Sequence, residues 1–267
     1  MPALHGLSRV ALILSTAGVN PGRGTTGRAQ PALIRYVYID IVDFSKSRSI
    51  EAQSEIIESL GLIVNKAVAS FVADVERALL LPTGDGMCIC LLNLIEPFDL
   101  DIAIALSVLE QLHALRAQTV DPTRQFAVRI GLNENQDNII VDVRGGMNVV
   151  GLGINMAQRV MSIAGPSRLF IGQAVYERLC QREVYRYWLK PIRAIVKHGQ
   201  KLQCYEYFNP TLKCFSARGL AVDASRLQRE GQGPTSGTLI QLPLAAKGAV
   251  PSSMKKPIPP SFRIGGA

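Results

Sequence analysis

The hydrophobic pattern of the chain predicts an alternation of strands and helices. Residues 37–41 form a short apolar run that contains an acid near its end, which is typical of a buried strand. Apolar side chains then recur every three to four residues, the period of an amphipathic helix, at Ile56, Leu60, Ile63, Ala67 and Phe71. A second helix is predicted over residues 99–118, with one apolar face formed by Ile102, Ala105, Leu109 and Leu112.

Between these two helices the pattern predicts a β-hairpin. Two apolar runs, 78–81 and 87–92, flank the sequence Pro82-Thr-Gly-Asp-Gly86, and Asp-Gly is a common turn pair. Strands are predicted next over 126–132 and 139–143, on either side of a polar turn at 133–138.

The remaining segments extend the same alternation. They are a helix at 154–163, a short strand at 168–171, a short helix at 173–180 and strands at 194–197 and 203–208. The order β-α-β-β-α-β, continued by further α and β units, is the ferredoxin-like pattern. The sequence therefore predicts an α+β fold with an antiparallel-rich sheet and flanking helices.

The distribution of charge separates a central domain from two basic ends. The formal net charge of the 267 residues is +8, but residues 34–210 carry 18 basic and 19 acidic side chains. Residues 1–32 are expected to be a flexible extension, 33–210 a folded domain, and 211–267 a basic, disordered tail rich in Gly, Pro and Ser. Because the basic excess lies in the ends, the folded domain is not expected to bind nucleic acid.

The cysteines and histidines do not predict a zinc site. No Cys-x-x-Cys pair occurs among the five cysteines, and the three histidines are scattered. Cys88 and Cys90 share one face of a predicted strand and are expected to pack as small apolar side chains. No window reaches the roughly 18 apolar residues that a membrane-spanning helix needs, so membrane insertion is not expected.

Two acids stand at predicted strand ends, Asp40 in the first strand and Asp85 in the hairpin turn. Either acid alone is compatible with a structural role, as a strand-end cap or a turn residue. Mg²⁺ and Mn²⁺ prefer oxygen ligands and are often held by one or two carboxylates together with substrate phosphates. Two such acids brought together could hold a pair of ions about 3.5–4 Å apart for displacement at phosphorus.

Three motifs resemble those of the class III nucleotidyl cyclases. Asp40-Ile-Val-Asp-Phe-Ser45 resembles the first metal motif of that family, and Thr83-Gly-Asp-Gly86 resembles the second. Gly151-Leu-Gly-Ile-Asn-Met-Ala-Gln-Arg-Val160 is similar to the helix that carries the family's Asn and Arg. The order and spacing agree over about residues 33–210. The resemblance implies a cyclase homology domain that pairs head to tail into a homodimer, with each active site shared between two subunits.

The same resemblance implies a role for individual residues. Asp40 and Asp85 would hold two Mn²⁺ or Mg²⁺ ions per site, with the backbone carbonyl of Ile41 as a further ligand. Phe44 and Ser45 lie in the turn whose backbone amides would meet the triphosphate.

Four further residues come from later segments. Arg129 and Lys197 would bind phosphate, and the planar fork of an arginine suits that task. Asn155 and Arg159, one helical turn apart, would orient the ribose and neutralise charge on the α-phosphate.

Two departures from the family pattern fall at the positions that contact the purine base. Leu81 replaces the usual Lys, and Asn148 replaces the usual acid. A site built to pair polar base edges loses about 10⁴-fold discrimination when its partners are missing. Asp43 replaces a Gly of the first motif, and residues 133–135 replace the usual polar turn after the phosphate-binding Arg.

Three functional interpretations remain open. The first is a pyrimidine nucleotidyl cyclase, most like those of the bacterial Pycsar anti-phage systems, which would make cyclic UMP or cyclic CMP with Mn²⁺ in the cytoplasm and signal to a separate effector protein. UTP is favoured over CTP as its substrate. The second is a divergent adenylate cyclase that uses ATP. The third is an inactive cyclase-fold module that dimerises or regulates, which the presence of Asp40, Asp85, Asn155 and Arg159 disfavours.

Overall fold

The structure is a computed structural model, and it describes residues 29–195 and 201–215. The elements in this part of the chain are β1 (Gln30–Ile41), α1 (Ile50–Phe71), a 3₁₀ turn (Val75–Arg77), β2 (Ala78–Pro82), β3 (Gly86–Leu92), α2 (Leu100–Gln118), β4 (Val128–Val141), β5 (Met147–Val150), α3 (Leu152–Ile163), β6 (Arg168–Ile171), α4 (Gln173–Leu179), α5 (Glu183–Arg186), β7 (Leu189–Ile195) and β8 (Lys201–Tyr207). None of the helices in the described ranges is long and apolar enough to cross a membrane.

The strands form one sheet in the order β2-β3-β1-β4-β6-β8-β7, and β5 pairs with β4 outside this path. All neighbouring strands are antiparallel except β4 and β6. The first four strands in the order β2-β3-β1-β4, with α1 and α2 as their connections, give the ferredoxin-like arrangement, which confirms the predicted fold class.

The two faces of the sheet differ in what covers them. Alternate residues of the central strands, such as Val37, Ile89 and Ile130, point to the face that packs against α1, α2, α4 and α5 in the main core. Tyr36, Tyr38, Cys88 and Cys90 point to the opposite face. Only α3 among the described helices packs on that second face, where Ala157 and Met161 contact the sheet.

The first half of the fold follows the predicted pattern closely. The apolar stripe of α1 is buried at Ile56, Leu60, Ile63 and Ala67, and Ser49 caps the helix by accepting a hydrogen bond from the Ala52 amide. The hairpin between β2 and β3 lies where Pro82-Thr-Gly-Asp-Gly86 predicts it. Cys88 and Cys90 are both buried on one face of β3, as expected.

The predicted polar turn at 133–138 is wrong. A single strand, β4, runs from Val128 to Val141, and its register with β1 is continuous from Gln30 opposite Ile139 to Ile41 opposite Val128. The strand continues because its polar side chains find partners on both faces. Glu134 contacts Arg35 at 3.0 Å and Arg178 at 2.9 Å on the α1–α2 face.

Several element boundaries also differ from the predicted ones. β1 begins at Gln30, before the predicted domain start at 33, and α3 begins at Leu152, two residues earlier than predicted. β7 spans Leu189–Ile195 instead of 194–197, and residues 196 and 197 lie outside the described ranges. Past the predicted domain end at 210, Cys214 and Phe215 are buried in the main core.

Candidate active site

The end of β1 and the turn between β2 and β3 bring Asp40 and Asp85 to one edge of the sheet. Asp40 lies opposite Gly86 in the β1–β3 register, and the Ile41 amide donates a 3.2 Å hydrogen bond to the Asp85 carbonyl. Burial raises the pKa of the Tyr38 hydroxyl, and the charges of Asp40 and Asp85 raise it further. Asp40, two residues after Tyr38 in β1, therefore faces the side of the sheet opposite α1 and α2, and the turn that carries Asp85 lies beside it.

Gly86 is what allows this close approach. A Cβ at position 86 would lie inside van der Waals contact of the Ile39 carbonyl oxygen, and 3.0 Å from the Asp40 Cα. Gly84, earlier in the same turn, has a φ of 91°, which favours glycine. The Gly-Asp-Gly sequence thus shapes the turn that carries Asp85 beside Asp40.

Arg129 of β4 completes this edge. It lies opposite Asp40 in the β1–β4 register, and its Nε contacts the Asp40 Oδ2 at 2.7 Å. Its Nη1 donates to the Ser162 carbonyl at 3.4 Å, near the end of α3. The predicted phosphate-binding arginine is therefore paired with a predicted metal-binding acid, and it connects that acid to α3.

The donor set at this edge fits a hard divalent cation. Among residues 29–195 and 201–215 no group of three or more His, Cys, Asp or Glu side chains could hold a metal ion by itself. Two carboxylates fit a different kind of site, in which Mg²⁺ or Mn²⁺ keeps water ligands and takes oxygens from a phosphate substrate. The Asp40 Oδ2 pairs with the Arg129 Nε, so an ion at this edge would bind beside a guanidinium. The Ile41 side chain is a hydrocarbon and is buried, so the ligand that Ile41 could contribute is its backbone carbonyl oxygen.

The turn after β1 carries Phe44 and Ser45. Asp43 has a φ of 53°, the left-handed conformation that explains why the cyclase motif usually has glycine at this position, and Asp is one of the few other residues that tolerate it. The side chain of Phe44 packs against the main core, while Ser45 is exposed. The turn therefore has one anchored and one accessible residue.

Arg48 holds this turn in place, and sequence reasoning missed it. Its guanidinium donates to the carbonyl oxygens of Asp43 and of Phe44, the latter at 2.8 Å. It also donates to the carbonyl oxygens of Thr123 and Gln125, each at 3.0 Å. Arg48 therefore joins the turn after β1 to the segment before β4. No sequence motif marks it, because all its partners are backbone atoms.

Asn155 and Arg159 lie on α3, which crosses β4 at close range. A Cβ on Gly131 would lie 2.6 Å from the Ala157 carbonyl oxygen and from the Met161 Cα, so only glycine lets the helix approach this far. Asn155 is exposed, and its Nδ2 donates to the Gly151 carbonyl at 3.2 Å. Arg159 is half-buried.

Leu81 and Asn148, the two positions that depart from the purine pattern, have side chains on different faces of the sheet. Leu81 packs on the second face of the sheet together with Cys88 and Val149. Val149 lies opposite Ile139, whereas Asn148 lies opposite Ile140, so the Asn148 side chain points away from Leu81. The Asn148 Oδ1 accepts a hydrogen bond from the Val149 amide. The β5 side chain that packs on the same face as Leu81 is therefore the apolar Val149. Lys197 lies outside the described residues.

Comparisons with known proteins identify the fold. No family model and no curated protein matches the sequence. A rhodopsin-guanylyl cyclase catalytic core with converted specificity, in complex with ATPαS, is similar in structure at 18% identity, with 68% of this chain and 98% of that chain covered and a TM-score of 0.53.

Two further solved structures agree with this result. The guanylate cyclase domain of RhGC from Catenaria anguillulae in complex with GTP covers 66% of this chain and 96% of its own, at 18% identity and a TM-score of 0.52. The adenylyl cyclase CyaB from P. aeruginosa covers 73% of this chain and 100% of its own, at 14% identity and a TM-score of 0.53. The chain therefore has the fold of class III cyclase catalytic domains.

Proposed function

We propose that this protein is a nucleotidyl cyclase that converts a pyrimidine nucleoside triphosphate, UTP in preference to CTP, into the 3′,5′-cyclic nucleotide and diphosphate. The observation that carries the proposal is the meeting of Asp40, Asp85 and Arg129 at one sheet edge of a cyclase fold. The resemblance of its sequence motifs to those of the pyrimidine cyclases supports the choice of substrate.

The reaction forms a bond between the ribose 3′-oxygen and the α-phosphorus, and it breaks the bond from that phosphorus to the oxygen of the β-phosphate. The 3′-hydroxyl releases its proton to solvent, and diphosphate leaves with the electron pair of the broken bond. A divalent cation held by Asp40 and Asp85, with the Ile41 carbonyl, would stabilise the negative charge of the phosphate oxygens. We propose Mn²⁺ or Mg²⁺, two ions per site.

The protein's own groups would bind and orient the triphosphate. The backbone amides of the turn at Phe44 and Ser45 would donate to it. A guanidinium has five N–H donors, more than the contacts of Arg129 with Asp40 and Ser162 use, so Arg129 can bind phosphate beside the acid. Asn155 would orient the ribose, and Arg159 would neutralise charge that develops on the α-phosphate. Lys197 is proposed as a further phosphate contact.

We propose that the active enzyme is a head-to-tail homodimer with composite sites. Exposed apolar side chains are concentrated between the end of β4 and the start of α3, and a second copy of the chain would bury them; they are Val141, Val143, Met147, Val150 and Leu152. In a twofold dimer, each copy would offer Asn155 and Arg159 to the Asp40 and Asp85 of the other.

The base would lie against an apolar surface. Leu81 and Val149 offer no hydrogen-bonding group to a purine edge, and the unpaired polar edge of an adenine would cost about 1–3 kcal/mol on desolvation. The Asn148 side chain points away from Leu81. Asn148 is therefore proposed to contact the nucleotide outside this apolar surface, through an amide that can donate and accept. We further propose a cytoplasmic enzyme whose product acts on a separate effector protein in anti-phage defence.

The alternative is an adenylate cyclase, which the structural similarity to a P. aeruginosa adenylyl cyclase supports equally at the level of the fold. Incubation with the four nucleoside triphosphates at equal concentration plus Mn²⁺, with products identified by mass spectrometry, separates the two. We expect cyclic UMP or cyclic CMP in large excess. Dominant cyclic AMP or cyclic GMP would refute the pyrimidine and defence assignments, and a folded protein that makes no cyclic product would favour the inactive module.

A further inference from the structure

A buried carboxylate lies at the start of α3, away from the edge that carries Asp40 and Asp85. Asp137 of β4 is 5% exposed, on the same face of the sheet as Tyr36. Its Oδ2 accepts hydrogen bonds from the Tyr36 hydroxyl at 2.6 Å and from the Gly153 amide at 2.8 Å, and its Oδ1 accepts one from the Asn135 Nδ2 at 2.5 Å. Every one of these partners is a neutral donor.

Two glycines make room for this carboxylate. A Cβ on Gly151 would lie 2.8 Å from the Asp137 Cβ and closer still to its carboxylate. A Cβ on Gly153 would lie 2.6 Å from the Tyr36 Cε2 and from the Asn135 Cβ. The first turn of α3 therefore packs closely against the side chains of the sheet, and at positions 151 and 153 there is no space for a side chain.

A second side chain of β4 holds the same turn. Asn133 is 6% exposed, and its Nδ2 donates to the Gly153 carbonyl at 3.1 Å. Gly153 is thus bound through its amide by Asp137 and through its carbonyl by Asn133. Residues 133, 135 and 137 alternate along β4 and so share the face on which α3 lies.

These contacts of Asp137 and Asn133 with the first turn of α3 are directly connected to a proposed functional side chain. The Asn155 Nδ2 donates to the Gly151 carbonyl, and Gly151 packs against Asp137. Arg159 follows one helical turn later on the same face of α3. Because a helix moves as a rigid unit, the rotation of its first turn about the helix axis fixes the direction of both side chains.

We propose that Asp137 is a positioning residue, whose buried carboxylate, held by Tyr36 and Asn135, sets the first turn of α3 and thereby aims Asn155 and Arg159 at the α-phosphate. This inference rests on the proposed cyclase function. Asp137 itself touches no substrate. Burial and the hydrogen bond to Asp137 raise the pKa of the Tyr36 hydroxyl, so it stays protonated as a donor across the pH range of the assay.

The test compares two Tyr→Phe variants that each remove one buried hydroxyl from an aspartate. Tyr36→Phe removes the donor to Asp137. Tyr185→Phe is the matched control, because the Tyr185 hydroxyl bonds the buried Asp99 at 2.5 Å beside α2, outside the proposed site. Activity is measured as kcat and KM, and hydrogen exchange is measured for the amides of residues 151–163.

We expect Tyr36→Phe to lower kcat about 10-fold with KM changed less than 2-fold, because the groups proposed to bind the triphosphate, Arg129 and the turn after β1, are not on α3. Exchange at residues 151–155 should accelerate in Tyr36→Phe and not in Tyr185→Phe. Asp137→Asn should lower kcat further, since its amide sets one donor against the Asn135 amide. The double variant Asn135→Asp with Asp137→Asn restores a donor–acceptor match and should recover at least half of the lost kcat.

The outcomes separate the inference from the proposed function. A wild-type protein that makes no cyclic nucleotide overturns the proposed function and this inference with it. An active wild type whose kcat is the same in Tyr36→Phe and Tyr185→Phe overturns the positioning role alone. Unchanged exchange at residues 151–155 in Asp137→Asn, or a double variant no more active than Asp137→Asn, also overturns it.

Discussion

The substitution Gly86→Ala probes the geometry that brings Asp40 beside Asp85. The added Cβ would face the Ile39 carbonyl oxygen more than 1 Å inside ordinary contact, and would lie 3.0 Å from the Asp40 Cα and 3.1 Å from the Thr83 Oγ1. Two of these three atoms belong to the backbone of β1, so β1 and β3 must separate by about 1 Å at the position of Asp40.

The expected effect on activity is larger than the effect on stability. A 1 Å misplacement of catalytic groups costs about 10²-fold in rate, whereas overpacking a well-packed site typically costs about 1–3 kcal/mol of unfolding free energy. We therefore expect Gly86→Ala to lower kcat/KM about 100-fold in a protein that still unfolds cooperatively in urea.

Gly61→Ala is the matched control. Gly61 is in α1, and a Cβ there would meet no atom within 4 Å. This variant should gain about 0.5–1 kcal/mol in unfolding free energy, because alanine favours a helix over glycine, and should keep full activity. Wild-type kcat/KM in a folded Gly86→Ala protein would refute the assignment of this turn to the active site.

Three further predictions follow from individual contacts. Asp40→Ala and Asp85→Ala should each leave less than about 1% of turnover in a folded protein, because each removes a proposed ion ligand from a strand end or turn. Residual activity above a few per cent, measured by mass spectrometry of the product, would contradict this. Arg48→Lys loses the planar fork that reaches four carbonyl groups. It should raise KM for the triphosphate about 10-fold and lower kcat by a smaller factor. An unchanged KM in steady-state kinetics would show that the turn after β1 does not bind phosphate. Burial raises the pKa of the Cys204 and Cys214 thiols to about 12 each, so their contribution to stability is present below pH 9 and is lost as the pH rises toward 12. The unfolding free energy measured in urea should fall by about 1 kcal/mol per thiol between pH 8 and pH 10. The unfolding free energy of Cys204→Ala should fall less steeply with pH, and a slope identical to that of the wild type would contradict this prediction.

The sequence predicts the first half of the fold because that half depends on local patterns. The stripe of α1 and the turn at Gly84 and Asp85 are both visible in short windows. β4 is different, because its polar centre becomes a strand only through distant partners: Arg35 and Arg178 for Glu134, and Tyr36 for Asp137. A short window contains no sign of partners that lie so far away along the chain.

The same distinction applies to the candidate site. Motif resemblance leads to Asp40, Asp85 and Arg129; the strand register places Arg129 opposite Asp40, and the turn before β3 brings Asp85 beside them. Arg48 and Asp137 escape notice because their partners are backbone groups and side chains of other elements. The alternation of Asn133, Asn135 and Asp137 on one strand face was the one available signal, and it is visible only once the segment is recognised as a strand.

The most direct test of a composite cyclase site mixes two inactive variants. Asp85→Ala and Arg159→Ala are purified separately, mixed under conditions in which subunit exchange is demonstrated, and assayed with UTP and Mn²⁺ for cyclic UMP by mass spectrometry. In a mixed dimer one of the two sites regains every group, so we predict that activity reappears, at up to about a quarter of the wild-type rate after random exchange. Exchanged subunits that remain inactive, although the wild type makes cyclic nucleotide, would contradict the composite site.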